Sequence, residues 1–95
     1  MLCKKIKIGS KIIIALNIKL QKKNFILLRG SRGYIMCGYL DLKTADKFSD
    51  VAMKIVGVSN IRQALNAKVV FISKQAKKQG LYRGQSVNEA LRIIA

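Results

Sequence analysis

The sequence predicts an α+β domain, with an antiparallel β-meander in the N-terminal half followed by short helices and one further strand. Two observations carry the prediction. Residues 11–20 alternate with period two and are rich in β-branched isoleucine, as a strand requires. After residue 41 the apolar spacing changes to three and four, the stripe of amphipathic helices.

Taken in order, residues 3–8 form the first strand, with Ile6 and Ile8 inward and Lys5 and Lys7 outward. Gly9-Ser10 is a two-residue hairpin turn into strand 11–20. On that strand Ile12, Ile14, Leu16, Ile18 and Leu20 share one face, and Lys11, Ile13, Ala15, Asn17 and Lys19 share the other. The second set reads as the outer face, which makes Ile13 and Ala15 candidate contacts between copies. Residues 24–29 are a short apolar strand, Gly30-Ser31-Arg32-Gly33 a turn, and residues 34–40 a strand apolar on both sides.

Leu42, Ala45, Phe48, Ala52 and Ile55 then follow helical spacing, with Ser49-Asp50 as the point where the helix can divide in two. Asp41, at the end of a strand and before a helix, reads as a cap or turn residue. Ser59 is the expected N-cap of a helix over 60–66. Residues 68–72 are a fifth strand. Ser73 caps a helix over 74–79 that stops at Gly80. Ser86 and Glu89 form a capping box for a last helix that runs to about Ile94, with Val87, Ala90, Leu91 and Ile94 inward. At 95 residues, with no linker and no repeat, the chain reads as one domain spanning 1–95.

Composition narrows the chemistry. Histidine is absent, which removes Ser-His-Asp and Cys-His catalysis and imidazole metal sites. The net charge is +15, from 19 bases and 4 acids. Residues 1–24 carry +7, 25–50 only +1, and 51–95 again +7. Such a chain favours anionic partners, nucleic acid or another polyanion among them. Lysines outnumber arginines 14 to 5 and aromatics are few, so nucleic-acid binding would be non-specific neutralisation of the backbone, with Tyr34, Tyr39 and Tyr82 the stacking candidates. Cys3 and Cys37 match no metal spacing and read as reduced thiols in a cytoplasmic protein. No apolar run reaches the roughly 18 residues of a membrane span.

The segment Arg32-Gly33-Tyr34-Ile35-Met36-Cys37-Gly38-Tyr39-Leu40 resembles the signature of the YunC-like family of small bacterial and archaeal proteins. The resemblance continues through Ala45 to Asp50, Gly57-Val58, Leu65 to Val70, Gly84-Gln85-Ser86 and Glu89-Ala90-Leu91. It implies an α+β fold and a β-rich N-terminal region used for tetramer assembly, and it implies no activity. The resemblance implies a chain nearer neutral and a glycine at position 49, whereas this chain carries +15 and has Ser49.

Cys37 is the one candidate for nucleophilic or ligand-binding chemistry, given a base such as Arg29 or Arg32 beside it. As a small hydrophobe it fits a buried strand equally well. Arg29 and Arg32 around the Gly30–Gly33 turn, Arg83 before the last helix, and Lys74, Lys77 and Lys78 on a helix are the anion- or nucleic-acid-binding candidates. Asp46 and Asp50 would share a face of a continuous helix, yet among 19 bases they suit capping and pairing, and no metal or cofactor is expected. The leading expectation is a cytoplasmic binding or structural module assembled as a homo-oligomer. The alternatives are a basic nucleic-acid-binding protein and a small enzyme or ligand-binder centred on Cys37. Absent histidine and scarce acids count against the enzyme.

Overall fold

The computed structural model describes residues 1–38 and 41–95. Its order is β1 (Leu2–Ile8), β2 (Lys11–Lys19), β3 (Asn24–Arg29), β4 (Tyr34–Cys37), α1 (Leu42–Lys47), β5 (Ala52–Ile55), α2 (Ile61–Leu65), β6 (Phe71–Ile72), α3 (Lys74–Lys78) and α4 (Val87–Ile94). The strands form one six-stranded sheet in sequence order. β1 to β4 are the expected meander, and Gly9 turns the first hairpin at φ +62°. The expected end of the fourth strand, Tyr39 and Leu40, lies outside the described residues.

The helix expected across 42–55 is a helix only in its first half. Asp41 caps α1, its carboxylate accepting the Lys43 amide and the Thr44 hydroxyl, each at 3.0 Å. Ser49 then takes a left-handed conformation, φ +58°, and ends any helical path. The following apolar run becomes β5, parallel to β4 and antiparallel to β6. A short buried strand with apolar residues on both sides has no period of its own, so its Ala52 and Ile55 can be mistaken for a helical stripe.

The later caps are close to expectation. Ser73 and Ser86 cap α3 and α4 by accepting the Ala76 amide at 3.2 Å and the Glu89 amide at 3.2 Å. The cap of α2 is Asn60 and not Ser59; Asn60 accepts the Gln63 amide at 2.8 Å, and the Gln63 side chain accepts the Ser59 amide at 2.7 Å. The return half of the expected capping box is not made: the Glu89 carboxylate accepts the Tyr82 hydroxyl at 3.4 Å and not the Ser86 amide. Only Phe71–Ile72 of the expected 68–72 strand pairs as a strand, while Lys68 forms an isolated bridge with Ser86.

The two faces of β2 are the reverse of the sequence reading. Ile13 and Ala15 are fully buried, in one cluster with Ile26, Leu28, Ile35 and Met53 of the sheet and with Ile61, Ala64, Ala76, Val87, Leu91 and Ile94 of α2, α3 and α4. They are therefore core residues of the single chain and are withdrawn as contacts between copies. Alternation fixes which residues share a face but not which face meets the helices. Cross-strand register places Ile6 opposite Ile13, so Ile6 and Ile8 do point toward the core.

On the other side, Ile12, Ile14, Leu16 and Ile18 line up with Leu27 of β3. Ile12 is 59% exposed and the other four are half-buried. Lys5 and Lys7 of β1 stand opposite Ile14 and Ile12 on this face. β1 is also the sheet's edge, and its lysines discourage edge-to-edge pairing.

The start of β4 is tied to the turn before β5. The Tyr34 hydroxyl donates to the Asp50 carboxylate at 2.8 Å. Burial, and then the Asp50 hydrogen bond and charge, push the Tyr34 phenol up from 10.0 to about 12. The folded chain thus holds this proton more tightly than the unfolded chain. The stability it contributes is complete below pH 10 and is lost as pH rises toward 12. Thermal melts of the wild type and Tyr34→Phe should differ by a constant amount below pH 10, and the gap should close between pH 10 and about 12.

Candidate functional site

β4 and β5 are the parallel pair in this sheet, and their carboxyl ends lie side by side. Crevices beyond the carboxyl ends of parallel strands are where open sheets most often bind ligands. Here the chain leaves β4 through Cys37-Gly38 and β5 through Val56-Gly57-Val58-Ser59. The β2–β3 turn comes to the same end of the sheet, closed by a Leu20 amide to Lys23 carbonyl bond of 2.7 Å. Lys22, Lys23, Asn24, Cys37, Gly38 and the 56–59 segment together line a cleft of about 430 Å³.

Cys37 is 5% exposed and belongs to the core cluster. Its sulfur accepts the Ile26 amide at 3.1 Å and donates to the Asn24 carbonyl at 3.4 Å. The thiol is thus fixed by the backbone of β3 with one side on the cleft. The bases that share this cleft are Lys22 and Lys23, not the arginines named from the sequence. In a meander the second turn and the end of the fourth strand fall at the same end, so topology alone could have paired these lysines with Cys37.

Arg29 and Arg32 lie at the opposite end of β3 and β4. The amides around them are engaged: Gly30 donates to the Gly33 carbonyl and Arg32 to the Ile94 carbonyl, both at 2.8 Å. A Cβ on Gly30 would overlap the Ile94 carbonyl, and one on Gly33 would meet the Val51 carbonyl at 2.5 Å. This turn is the seat for the end of α4 and not an open anion nest.

Arg83 stands over the Phe71 ring at 5.4 Å, with Lys54 at 5.5 Å. Phe71 is 38% exposed. The Gly84 amide near Arg83 donates to the Val69 carbonyl at 2.8 Å. Lys74, Lys77 and Lys78 are exposed on α3, whose Ala76 is buried.

The four acids are all engaged within the chain. Asp41 caps α1, and the Thr44 hydroxyl and then the Lys43 amide hold its carboxyl below the usual range. Asp46 accepts the Lys74 amide at 2.7 Å, Asp50 accepts Tyr34, and Glu89 accepts Tyr82. Asp46 and Asp50 do not share a helix face, because α1 ends at Lys47. Among the described residues no group of three or more His, Cys, Asp or Glu is placed to hold a metal ion.

A family described as "Domain of unknown function (DUF1805)" matches residues 36–94. The chain belongs to the DUF1805 family. It is 38% identical over 81 residues to the "Uncharacterized protein YunC" of Bacillus subtilis (strain 168), covering 81% of this chain and 80% of the relative. Its fold is that of a crystal structure titled as a protein of unknown function, TA1206, from Thermoplasma acidophilum, with a TM-score of 0.95 and 32% identity over 99% of this chain and 92% of that one. The DUF1805 match takes in Cys37, Gly38 and the 56–59 side of the cleft, but begins after Lys22 and Lys23. The φ of +58° at Ser49 gives a physical reason for the glycine that the family resemblance implies there.

Proposed function

We propose that this chain is a self-associating module whose copies pack through the open face of β2 and β3, working as a binding or structural unit in the cytoplasm. The carrying observation is the row Ile12, Ile14, Leu16, Ile18 and Leu27, on the side of the sheet away from α2, α3 and α4. A sheet face of this kind is matched by a second copy of itself, packed about 10 Å away in a symmetric pair. The tetrameric assembly implied by the family resemblance supports the same reading. Free thiols at both Cys3 and Cys37 accord with a reducing compartment, and no helix among the described residues is long and apolar enough to cross a membrane.

The copies attract through apolar surface and repel through +15 charges. Association should therefore tighten as salt screens the repulsion, and sedimentation velocity at about 50 and about 500 mM salt reads this directly. A fully monomeric chain at both salts overturns the proposal.

A second reading, non-specific binding of nucleic acid, is favoured by one observation: the exposed Phe71 ring with Lys54 and Arg83 against it, an aromatic surface already framed by cations. Its salt dependence has the opposite sign. Fluorescence anisotropy with generic oligonucleotides should lose roughly a thousandfold in affinity between about 50 and 200 mM salt if six or more phosphates are neutralised. No binding at the lower salt removes this reading.

A further inference from the structure

We propose that the cleft at the carboxyl ends of β4 and β5 binds a small phosphate-bearing ligand, held by Lys22 and Lys23 at its mouth against Gly38, Gly57 and Ser59. This does not rest on self-association, because none of the residues offered for that lines the cleft. Three observations carry it.

The first is charge. Two lysines line the cleft and no carboxylate does. No acid is left over to neutralise them, since Asp41, Asp46, Asp50 and Glu89 are each bonded elsewhere. A pair of ammonium groups without an internal partner suits a doubly charged phosphate, which lysine binds as a point charge.

The second is space. Gly57 needs glycine for its backbone, at φ +72°. Gly38 does not: its φ lies outside the left-handed region, and a Cβ there would meet nothing within 4 Å among the described residues. Gly38 is exposed and lines the cleft. The volume of about 430 Å³ falls within the range of small-ligand sites, so it has room for a phosphate and a short organic body.

The third is rigidity where it matters. The wall of the cleft is fixed by the Cys37 thiol, bonded to the Ile26 amide and the Asn24 carbonyl. The lysines stand on a closed turn that joins two paired strands. The site is thus built on sheet ends, where it needs little ordering on binding.

The test is a titration of the ¹⁵N-labelled full chain with inorganic phosphate, chloride being exchanged to hold ionic strength constant. The expected result is saturable movement of the Gly38, Gly57 and Ser59 amides, with a dissociation constant on the order of millimolar. Glycerol 3-phosphate should bind more tightly than phosphate, and glycerol should not bind. The Lys22→Gln/Lys23→Gln double variant changes only exposed side chains, so it should keep the fold and weaken binding about tenfold or more. Gly38→Ala should weaken glycerol 3-phosphate while leaving the melting temperature in place. The proposal is overturned if the cleft amides do not saturate. It is equally overturned if shifts of the same size appear along α3 and at Arg83, as a diffuse counter-ion effect would give, or if the double variant binds as the wild type does.

Discussion

Leu16→Lys is expected to convert the proposed assembly to a 10.6 kDa monomer. Leu16 sits mid-strand on the open face, opposite Cys3 on one side and Leu27 on the other. It is half-buried in the isolated chain, so a lysine can reach water there and the fold should survive. Between two copies the same ammonium would be enclosed without a partner, at a cost of about 3–5 kcal/mol. That corresponds to a loss of roughly a hundredfold to a few thousandfold in association. Light scattering coupled to size exclusion measures it. Val56→Lys, which places a charge at an apolar position that is already 50% exposed, is the control and should leave the mass unchanged. If Leu16→Lys keeps the wild-type mass with an intact fold, copies do not meet through this face.

Ser73→Ala should be the most damaging removal of a single oxygen in the chain. The Ser73 hydroxyl donates to the Asp50 carbonyl at 2.7 Å and accepts the Ala52 amide at 3.0 Å and the Ala76 amide at 3.2 Å. One proton and two lone pairs are all in use, at a residue only 1% exposed. Alanine loses the cap of α3, about 1 kcal/mol. It also strands the Ala52 amide at the head of a buried strand, for about 1–3 kcal/mol more. Together these predict a fall of about 10–25 °C in melting temperature for a domain of this size. Ser86→Ala removes a cap alone and should lower it by only about 4–8 °C. Equal effects from the two variants would show that the link between α3 and the start of β5 is not a stabilising one.

Ser73 also marks the limit of what could be read in the sequence. Its role as an N-cap was legible, because capping is local and a serine before an amphipathic run announces it. Its bonds to Asp50 and Ala52 join residues more than 20 positions apart, and no local pattern encodes them. The same division runs through the fold. The β1–β4 meander followed from period-two alternation and from glycine turns. β5 did not, because a short strand buried on both faces looks like part of a helix. Alternation on β2 sorted its residues correctly into two faces, yet only the helices packed later in the chain decide that Ile13 and Ala15 go inside. At the cleft, Cys37 was legible as a residue of interest, and Lys22 and Lys23 as part of a basic patch, but not as its neighbours. Their meeting depends on how the meander stacks its ends.

The four carboxylates give the chain an unusual sensitivity. In most proteins acidic groups are numerous enough that losing one alters charge or structure, but seldom both. Here a neutral substitution at Asp46 would free the first turn of α3 and raise the net charge to +16 in one step, from 19 bases against 3 acids. Folding and solubility are thus wired to the same few side chains.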